Sequence, residues 1–319
     1  MGHEGNSFSG RKPAPTLAQP PVPESSRTIH TPVLLEETIS YLAPADGGIY
    51  VDGTLGLGGH AAKILESCGP SGRVIGFEWD AAGLELAGKK LASYGERFLA
   101  VPRNFAEIRV GLTEIGIGKV DGMLLDLGVS SLQFDTGERG FSYQTDGPLD
   151  MRMDKRRQRT AEDIINDSSR ETLADIFYYY GEERQARRIA ARIAAEREKR
   201  KIRTTSHLAR IIAAAVPKKY HPPKIHVATK VFQALRIAVN DELDNLGMIL
   251  DDVGKILKPG GRICIISFHS LEDRLVKLKF KEDNELQILT KKPVIPRAEE
   301  IKLNPRARSA KLRAAFLKV

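Results

Sequence analysis

The chain has 319 residues, of which 41% are hydrophobic and 28% are charged. This length and composition are enough to bury substantial cores, which excludes a mostly disordered, collagen-like or disulfide-stapled protein. The longest apolar runs, such as residues 263–266, are far shorter than the roughly 20 residues that a membrane-spanning helix needs. We therefore expect a globular protein that does not enter a membrane.

The positive charge is concentrated in one stretch. The 49 Lys and Arg residues exceed the 41 Asp and Glu residues by eight, and residues 151–220 alone hold 18 basic and 10 acidic residues. Over the rest of the chain the two signs balance at 31 each. Such a stretch indicates either a face that binds a polyanion, with nucleic acid the first candidate, or a solvated helix laced with ion pairs.

The N-terminus and the cysteines bear on the compartment. Residues 1–27 contain five prolines and no apolar segment of a secretory signal, so we expect a disordered tail there. Cys68 and Cys264 are the only cysteines, too few for a disulfide framework and without metal-ligand spacing. The sequence therefore predicts a cytoplasmic protein with no metal site.

Strand and helix patterns alternate from residue 30 onward. A short helix is predicted with Thr31 as its cap and Pro32 as its first residue. The strands that follow are predicted at residues 48–52, 72–78, 98–101 and 121–126, and helices are predicted between them at residues 60–68 and 81–94. This alternation predicts a parallel sheet with helices on both faces.

The pattern changes after residue 131. Residues 132–222 contain helix-like runs and no convincing strand, whereas apolar residues at helical spacing predict one long helix over 228–257. Further strands are predicted at residues 261–267, 287–290 and 312–317. We therefore expect an α/β domain made of residues 28–131 and 223–319, interrupted by a basic helical insertion at residues 132–222.

A glycine-rich loop, residues 52–60, joins the first predicted strand to the next helix. Its glycines let the backbone approach a ligand closely, and Glu78 ends the following strand, where a carboxylate can bind both hydroxyls of a ribose. Residues 56–61 also satisfy the G-x-G-x-x-A dinucleotide fingerprint. The loop predicts an adenosine-containing cofactor, and it leaves S-adenosylmethionine, NAD and a purely structural turn open.

Two features favour S-adenosylmethionine over NAD. Asp52 directly precedes the glycines, where its charge suits the ammonium group of a methionine moiety and would repel a pyrophosphate. The turn Leu257-Lys-Pro-Gly-Gly-Arg-Ile263, leading into a strand, is common in S-adenosylmethionine-dependent methyltransferases.

Eight longer blocks point to one family. They are HTPVLLEE at 30–37, DGTLGLGGH at 52–60, DGMLLDLGVSSLQ at 121–133, ERGFSYQTDGPLDMRMD at 138–154, YGEERQARRIA at 180–190, FQALRIAVNDEL at 232–243, LKPGGRICIISFHSLEDR at 257–274 and NPRARSAKLR at 304–313. With these blocks, nearly all of residues 30–319 resembles the bacterial 16S ribosomal RNA (cytosine-N4) methyltransferase family, known as RsmH or MraW.

The resemblance implies a fold, a reaction and a set of contacts. The fold would be a class I (Rossmann-like) methyltransferase sheet with an inserted helical domain that binds RNA. The reaction would transfer a methyl group from S-adenosyl-L-methionine to the exocyclic N4 of a specific cytidine in 16S ribosomal RNA. The cofactor contacts carry over to Gly58, Gly59, His60, Glu78, Phe105, Asp126 and Gln133. The family often has Asp where Glu78 stands, and Glu can make the same bonds.

Methylation at N4 needs alignment and a proton acceptor, because the lone pair of N4 is delocalised into the ring. Asp126, after the fourth strand, is the first candidate acceptor, with the turn Ser130-Ser131 as an alternative and a helix cap as the non-catalytic interpretation. His269 follows the last core strand, where α/β sheets place ligands, but a lone His is often a packed or capping residue. Asp150, together with Asp154, is a candidate for positioning the nucleotide.

Methylation at C5 generally needs a cysteine nucleophile. Cys264 lies in an apolar strand and Cys68 ends a predicted helix, so both are expected to be structural. Transfer to N4 is therefore favoured over transfer to C5.

Candidate RNA contacts lie mainly in the predicted insertion. Arg184, Arg187, Arg188 and Arg192 are predicted to bind phosphates, and residues 178–180 are tyrosines that can stack on unpaired bases. Three consecutive residues of a helix cannot all face one way, so at least one tyrosine should be core. Arg236 is either a phosphate or base contact or an ordinary helix-surface charge.

The predicted partner is 16S ribosomal RNA or the small ribosomal subunit, with a homodimer possible. Two other functions stay open at this point: an NAD-dependent oxidoreductase, and a non-catalytic RNA-binding protein on a degenerate methyltransferase fold. The first is disfavoured by Asp52, and the second by the presence of the glycines, Glu78 and Asp126.

Overall fold

The computed structural model describes residues 1–2 and 32–319. The tail predicted at residues 1–27 lies outside the described residues, apart from residues 1–2. Chain contacts divide the molecule into residues 1–30 and residues 31–319.

Seven strands form a single sheet in residues 31–319. They are β1 Ile49–Asp52, β2 Arg73–Phe77, β3 Phe98–Val101, β4 Val120–Asp126, β5 Leu257–Ser267, β6 Leu286–Ile288 and β7 Lys311–Leu317. Their order is β3-β2-β1-β4-β5-β7-β6. Strands β1 to β5 pair in parallel, and β7 runs antiparallel between β5 and β6. The predicted parallel sheet is confirmed, with the last two strands running against one another.

Helices cover both faces of the sheet. The helices are α1 Leu35–Leu42, α2 Gly59–Ser67, α3 Ala81–Leu91, α4 Ile108–Glu114, α5 Ser131–Asp135, α6 Ala161–Asp167, α7 Arg170–Tyr179, α8 Ala186–Lys199, α9 Thr205–Ala215, α10 Thr229–Asn240, α11 Glu242–Ile256, α12 Ser270–Glu282 and α13 Ala298–Leu303. None of the described helices is both long enough and apolar enough to cross a membrane.

Alternate strand residues divide between two apolar layers because successive side chains point to opposite faces. Val51 and Met123 pack with α4 and α11 on one face, whereas Tyr50, Leu124 and Cys264 pack with α1 and α2 on the other. Both cysteines are fully buried, and burial raises the pKa of the Cys264 thiol to about 12. This thiol is therefore structural rather than nucleophilic.

A third apolar cluster lies among the helices between β4 and β5. It spans residues 141–239 and includes the buried faces of α6 to α9. Val231, Phe232 and Leu235 of α10 belong to it as well. Helix α10, which the sequence assigns to the methyltransferase segment 223–319, thus packs on helices of the predicted insertion. The boundary at residue 222 stays a prediction.

The single helix predicted over residues 228–257 is wrong. The chain breaks at Asp241, whose φ of 51° lies in the left-handed region, and this separates α10 from α11. The break is held by the buried Asn240, whose side chain donates to the carbonyl oxygen of Met151 at 2.8 Å and accepts from the amide of Met153 at 2.8 Å. Asparagine and aspartate tolerate the left-handed conformation better than most residues.

The start of the first helix also differs from the prediction. Helix α1 begins at Leu35, not at Pro32, because Leu34 is left-handed with a φ of 52°. The amide of Leu34 donates to Oε1 of Glu300 at 2.7 Å, a tertiary contact that local sequence signals do not reveal. The predicted cap, Thr31, lies outside the described residues.

Candidate active site

The loop between β1 and α2 carries two glycines that no other residue replaces easily. Gly58 precedes α2 in the left-handed region, with a φ of 71°, and a Cβ on it would lie 2.9 Å from Cδ1 of Leu91. A Cβ on Gly59 would clash with the side chain of Pro32. The loop thus delivers the backbone amides at the start of α2 to the carboxyl edge of the sheet, where they suit a carboxylate.

Asp52 ends β1 with its side chain 1% exposed. Its Oδ1 accepts a hydrogen bond from the amide of Thr54 at 3.2 Å. Burial raises the pKa of Asp52 to about 7, although backbone hydrogen bonds oppose the shift. A buried carboxyl of this kind is stabilised by a cationic partner, such as the ammonium group of a methionine moiety.

Glu78 follows β2, beside the same loop. Its Oε2 accepts from the amide of Gly56 at 3.0 Å, and its Oε1 accepts from the amide of Asp80 at 2.9 Å. Burial raises the pKa of Glu78 to about 7. Each carboxylate oxygen has a second lone pair, so Glu78 retains acceptor capacity for two ribose hydroxyls while the loop holds it in place.

Asp126 ends β4 and is the least satisfied carboxyl of the site. Its Oδ1 is buried and has no hydrogen-bond partner among residues 32–319, and its Oδ2 lies 3.7 Å from Nδ1 of His60. Burial, and then the charges of Asp52 and Glu272, raise the pKa of Asp126 well above its ordinary value. The buried carboxyl of Asp52 and the partly buried carboxyl of Asp126 lie at neighbouring strand ends and suit a cationic ligand, while the unpartnered Oδ1 can accept a hydrogen bond from a further donor.

His60 connects Asp126 to the segment that precedes α1. Its Nε2 lies 3.0 Å from the carbonyl oxygen of Val33, and because a carbonyl only accepts, Nε2 donates this bond. The ring is 5% exposed. The side chain of His60 therefore lies between Val33 and Asp126, and its backbone belongs to the first turn of α2.

Gln133 and Phe105, two further predicted contacts, lie around the same edge. The side chain of Gln133 is held by Ser130, whose amide donates to Oε1 at 3.2 Å, and by Asp80, whose Oδ2 accepts from Nε2 at 2.8 Å. Phe105 opens a short 3-10 helix after β3 and packs, partly buried, on the apolar layer of α4 and α11.

Asp80 and Arg139 form a buried pair that the sequence did not predict. Nη1 of Arg139 donates to Oδ2 of Asp80 at 2.7 Å, and both side chains are buried. Nη2 of Arg139 also donates to the carbonyl oxygen of Met153 at 3.0 Å. Asp80 thereby ties the end of β2 to residues 133–153. The signal in the sequence was a second carboxylate two residues after Glu78 and an arginine inside the block at 138–154.

The structure places His269 at the N-terminus of α12, as a cap. Its Nδ1 accepts from the amide of Glu272 at 3.4 Å, and its Nε2 lies 3.1 Å from Oε1 of the same residue. Oε2 of Glu272 accepts in turn from the amide of Phe268 at 2.8 Å. These bonds correspond to the capping interpretation of His269 and fix the loop that follows β5.

Asp150 is held by one arginine. Nε and Nη2 of Arg152 donate to its two oxygens at 2.7 and 2.8 Å. Burial opposes ionisation of Asp150, but the hydrogen bonds from Arg152 outweigh it and lower the pKa of Asp150. Asp154 is paired in the same way with Arg156, with 2.9 Å between Oδ1 and Nε. These carboxylates are poor proton acceptors, and they stiffen residues 150–157.

Arg236 is held in an ion pair, unlike the ordinary helix-surface charge that was one of the two predictions for it. Nε and Nη2 donate to the carboxylate of Glu242 at 2.8 Å each, and the arginine side chain is only 18% exposed. The pair spans Asp241, between α10 and α11. Arg236 is therefore a largely buried ion-pair partner rather than an ordinary surface charge, and its contact with a phosphate or base stays a prediction.

The other predicted RNA contacts are exposed. Arg184, Arg187 and Arg188 form no ion pair among the described residues, whereas Nη2 of Arg192 lies 2.7 Å from Oε1 of Glu196. Tyr178 and Tyr179 are exposed, whereas Tyr180, directly after α7, is partly buried against the helical cluster, so the three tyrosines do not share one environment.

One comparison with known families covers almost the whole chain. The model of the MraW methylase family matches residues 27–317. The chain belongs to the MraW methylase family. Membership confirms the resemblance seen in the eight sequence blocks, and the strand order agrees with the expected class I methyltransferase sheet.

Individual relatives agree with the family match. A protein of Desulfotalea psychrophila named ribosomal RNA small subunit methyltransferase H is 60% identical over 287 residues, covering 90% of this chain and 97% of its own length. A protein of the same name from Geobacter sulfurreducens is 50% identical over 304 residues, covering 90% and 98%. Among solved structures, a fibrillarin of Aeropyrum pernix with bound S-adenosyl-L-methionine is similar over 92% of this chain and 85% of its own, with 9% identity and a TM-score of 0.42.

Proposed function

We propose that this MraW methylase transfers the methyl group of S-adenosyl-L-methionine to the exocyclic N4 of a specific cytidine in 16S ribosomal RNA. The observation that carries the proposal is the pair of carboxyls of Asp52, which is buried, and Asp126, which is partly buried, at neighbouring strand ends beside a glycine loop. The family and the names of its relatives support methyl transfer to small-subunit ribosomal RNA.

The residues of the loop and strand ends bind the cofactor, which supplies an electrophilic methyl group on a sulfonium. Asp52 and the first amides of α2, next to Gly58 and Gly59, hold the ammonium and carboxylate of the methionine moiety. Glu78 accepts hydrogen bonds from the ribose hydroxyls. Phe105 packs beside the adenine, and Gln133 closes the same edge through its bond to Asp80.

Asp126 orients the nucleophile. Its unpartnered Oδ1 accepts a hydrogen bond from the amino group of cytosine, which draws the lone pair of N4 out of the ring and fixes its direction. Burial also raises the pKa of Asp126, and a carboxylate with a raised pKa is a better proton acceptor than an ordinary aspartate. The ring of His60 beside Oδ2 stabilises this arrangement.

His269 and Asp150 have supporting roles in this proposal. His269 fixes Glu272 and the Phe268 loop and acts as a positioning residue, and Asp150 holds the nucleotide-facing segment 150–157 through Arg152. The helical segment 132–222 presents Arg184, Arg187 and Arg188 to the RNA. The partner is 16S ribosomal RNA or the small subunit, a homodimer is part of the same proposal, and the reaction takes place in the cytoplasm.

Neither alternative function fits the buried carboxyls as well. A pyrophosphate of NAD would lie against Asp52 and Asp126, where like charges repel. A non-catalytic RNA-binding protein has no use for an unpartnered carboxyl oxygen buried at the cofactor edge, because such a group costs folding free energy.

The test is methyl transfer to small ribosomal subunits from cells that lack the enzyme, followed by mass spectrometry of the nucleosides. We expect N4-methylcytidine as the product. The Asp126→Asn variant keeps the shape of the side chain but is a poor proton acceptor, so its kcat should fall by about 100-fold or more. Asp175→Asn, at an exposed position of α7, is the matched control and should keep wild-type rates. Products methylated only at N3 or C5 would contradict the proposal.

A further inference from the structure

A second basic segment lies outside the helical region. Residues 291–313 contain eight Lys or Arg residues and two Glu residues. The balanced totals outside residues 151–220 hide this excess because acidic residues elsewhere compensate it. The segment connects β6 to β7 and contains the block at 304–313, to which the proposed function gives no role.

The basic segment forms one wall of a cavity of about 310 Å³. The loop after β5 forms the opposite wall with Phe268. Ile295, Pro296 and Ile301 supply apolar surface, and Arg308 and Lys311 supply positive charge. Because β7 runs antiparallel to β5, its first residue, Lys311, pairs with Ser267 at the carboxyl end of β5. The cavity therefore lies at the edge of the sheet that carries the candidate active site.

Phe268 lies between the cavity and residues 127–130, the loop that follows Asp126 (the Asp126 loop). A Cβ built on Gly128, two residues after Asp126, would lie 3.5 Å from Cδ2 of Phe268. The amide of Leu127 donates to the carbonyl oxygen of Ile266 at 2.9 Å, which keeps the two loops side by side. The cavity thus adjoins the place proposed for the target cytidine, separated from it by one aromatic ring.

The two cationic side chains of the cavity differ in whether they form an ion pair. Nζ of Lys311 lies 3.2 Å from Oδ2 of Asp273, so this cation is paired. The side chain of Arg308 is exposed and forms no ion pair or hydrogen bond with residues 32–319. Nearby, the guanidinium of Arg306 lies 5.3 Å from the ring centre of Phe134, in the short helix α5 that follows the loop after Asp126.

Apolar and aromatic walls beside Arg308, whose side chain forms no ion pair with the described residues, match the chemistry of a nucleotide. Unpaired bases bind by stacking on aromatic and apolar side chains, and their phosphates bind to arginine. Ile295 is 64% exposed although it lines the cavity, so a base would cover apolar surface that water now contacts. A polyanion also complements the net charge of residues 291–313.

We infer that this cavity binds an unpaired nucleotide that neighbours the target cytidine in the same RNA strand. Its base lies between Phe268 and Ile295, and its phosphate contacts Arg308. The inference rests on the proposed function and extends it: the enzyme holds the flanking nucleotide apart from the target, so that a stacked pair cannot enter the site together.

The first experiment measures the affinity for a short RNA that contains the unmethylated target cytidine, together with the affinity for the cofactor. Ile295→Ser should weaken RNA binding by about fivefold or more. Arg308→Gln should weaken it and reduce the slope against salt by about one phosphate contact. Lys90→Gln removes the same charge from an exposed position at the C-terminal end of α3, outside the basic segment, and is the matched control. Cofactor affinity should stay unchanged in all three variants.

The second experiment removes single bases from the RNA. For the wild type, an abasic site at one position next to the target should cost about fivefold or more in affinity, whereas for Ile295→Ser the same abasic site should cost nothing further. Equal losses in both proteins would overturn the inference. So would wild-type affinity in the Ile295→Ser and Arg308→Gln variants.

A truncated chain distinguishes a nucleotide from a different occupant of the cavity. If a chain lacking residues 1–30 bound RNA more tightly, and only when Ile295 and Arg308 were intact, the occupant would be the chain's own N-terminus and the inference would be wrong. If the wild type formed no N4-methylcytidine, the proposed function would fail. If it formed the product while the abasic site had no effect, only the nucleotide cavity would fail.

Discussion

At the scale of single residues, the candidate site consists of carboxyl groups whose pKa values are raised by burial. The pKa values of Asp52 and Glu78 are raised to about 7. The unfolded chain releases these protons near pH 4, so the folded state holds more protons over the range between. The stabilisation is present below about pH 4 and is lost as the pH rises through 7.

We therefore expect the free energy of unfolding of the cofactor-free protein to fall between pH 5 and pH 8. Asp52→Asn cannot ionise, and it should flatten this dependence by about 3 kcal/mol. Carboxyls with a lowered pKa, such as Asp150, change protonation below this range and do not interfere. Urea denaturation at both pH values measures the effect. An unchanged pH dependence in Asp52→Asn would mean that Asp52 is ionised in the folded protein.

The sequence predicted the carboxyls that end strands and missed those that depend on the packing of loops. Asp52, Glu78 and Asp126 follow recognisable apolar strands, so their meeting at one edge of the sheet follows from the strand pattern. Asp80 and Arg139 are 59 residues apart, and their contact depends on how the chain after β4 folds across the end of β2. No local periodicity encodes that path.

At the scale of secondary-structure elements, the same limit accounts for the helix that the sequence predicted as one. Apolar residues recur at helical spacing on both sides of Asp241, so the pattern runs on through the break. The left-handed residue is specified by Asn240 and by the pair of Arg236 with Glu242, and both depend on tertiary structure. The parallel strands were predictable because buried strands read as continuous apolar runs between glycines.

The Arg236–Glu242 pair should be a strong determinant of stability. Arg236→Met leaves the Glu242 carboxylate, which is 10% exposed, without its partner, and we expect a loss of about 3–5 kcal/mol in the free energy of unfolding. The double variant Arg236→Met/Glu242→Met should recover most of this loss. Arg109→Met is the control, because its pair with Asp252 is exposed on the arginine side and is worth about 1 kcal/mol or less. Urea denaturation distinguishes these cases, and a double variant as unstable as the single one would show that the unpaired Glu242 carboxylate is not the cause of the loss.

At the scale of the whole molecule, cofactor and RNA are assigned to different parts of the chain. The cofactor residues lie at the strand ends and the exposed arginines lie on and next to α8. Neutralising Arg184, Arg187 and Arg188 together should weaken RNA binding and reduce its slope against the logarithm of salt concentration by about 2 to 3. Cofactor affinity should stay constant.

The matched control for this triple variant replaces Lys89, Lys90 and Lys119 by Gln. The two lysines of α3 lie at its C-terminal end and Lys119 directly precedes β4, so all three belong to the edge of the sheet opposite the site. Titrating RNA at several salt concentrations, with calorimetry of the cofactor, measures both quantities. Lost cofactor affinity in the arginine variant would mean that α8 is scaffold for the site and its charge only a solvated face.

The left-handed residue at 241 has a practical consequence for anyone who wishes to exchange the helical part of this enzyme to which we assign RNA binding. A graft that ended at residue 222 would leave α10 behind and strip Val231, Phe232 and Leu235 of the helices that bury them. A graft that ended at Asp241 would carry α10 along and cut the chain where its path already turns. The part of the chain that packs as one unit with the inserted helices thus extends to the turn at Asp241, one helix beyond the place where the composition changes.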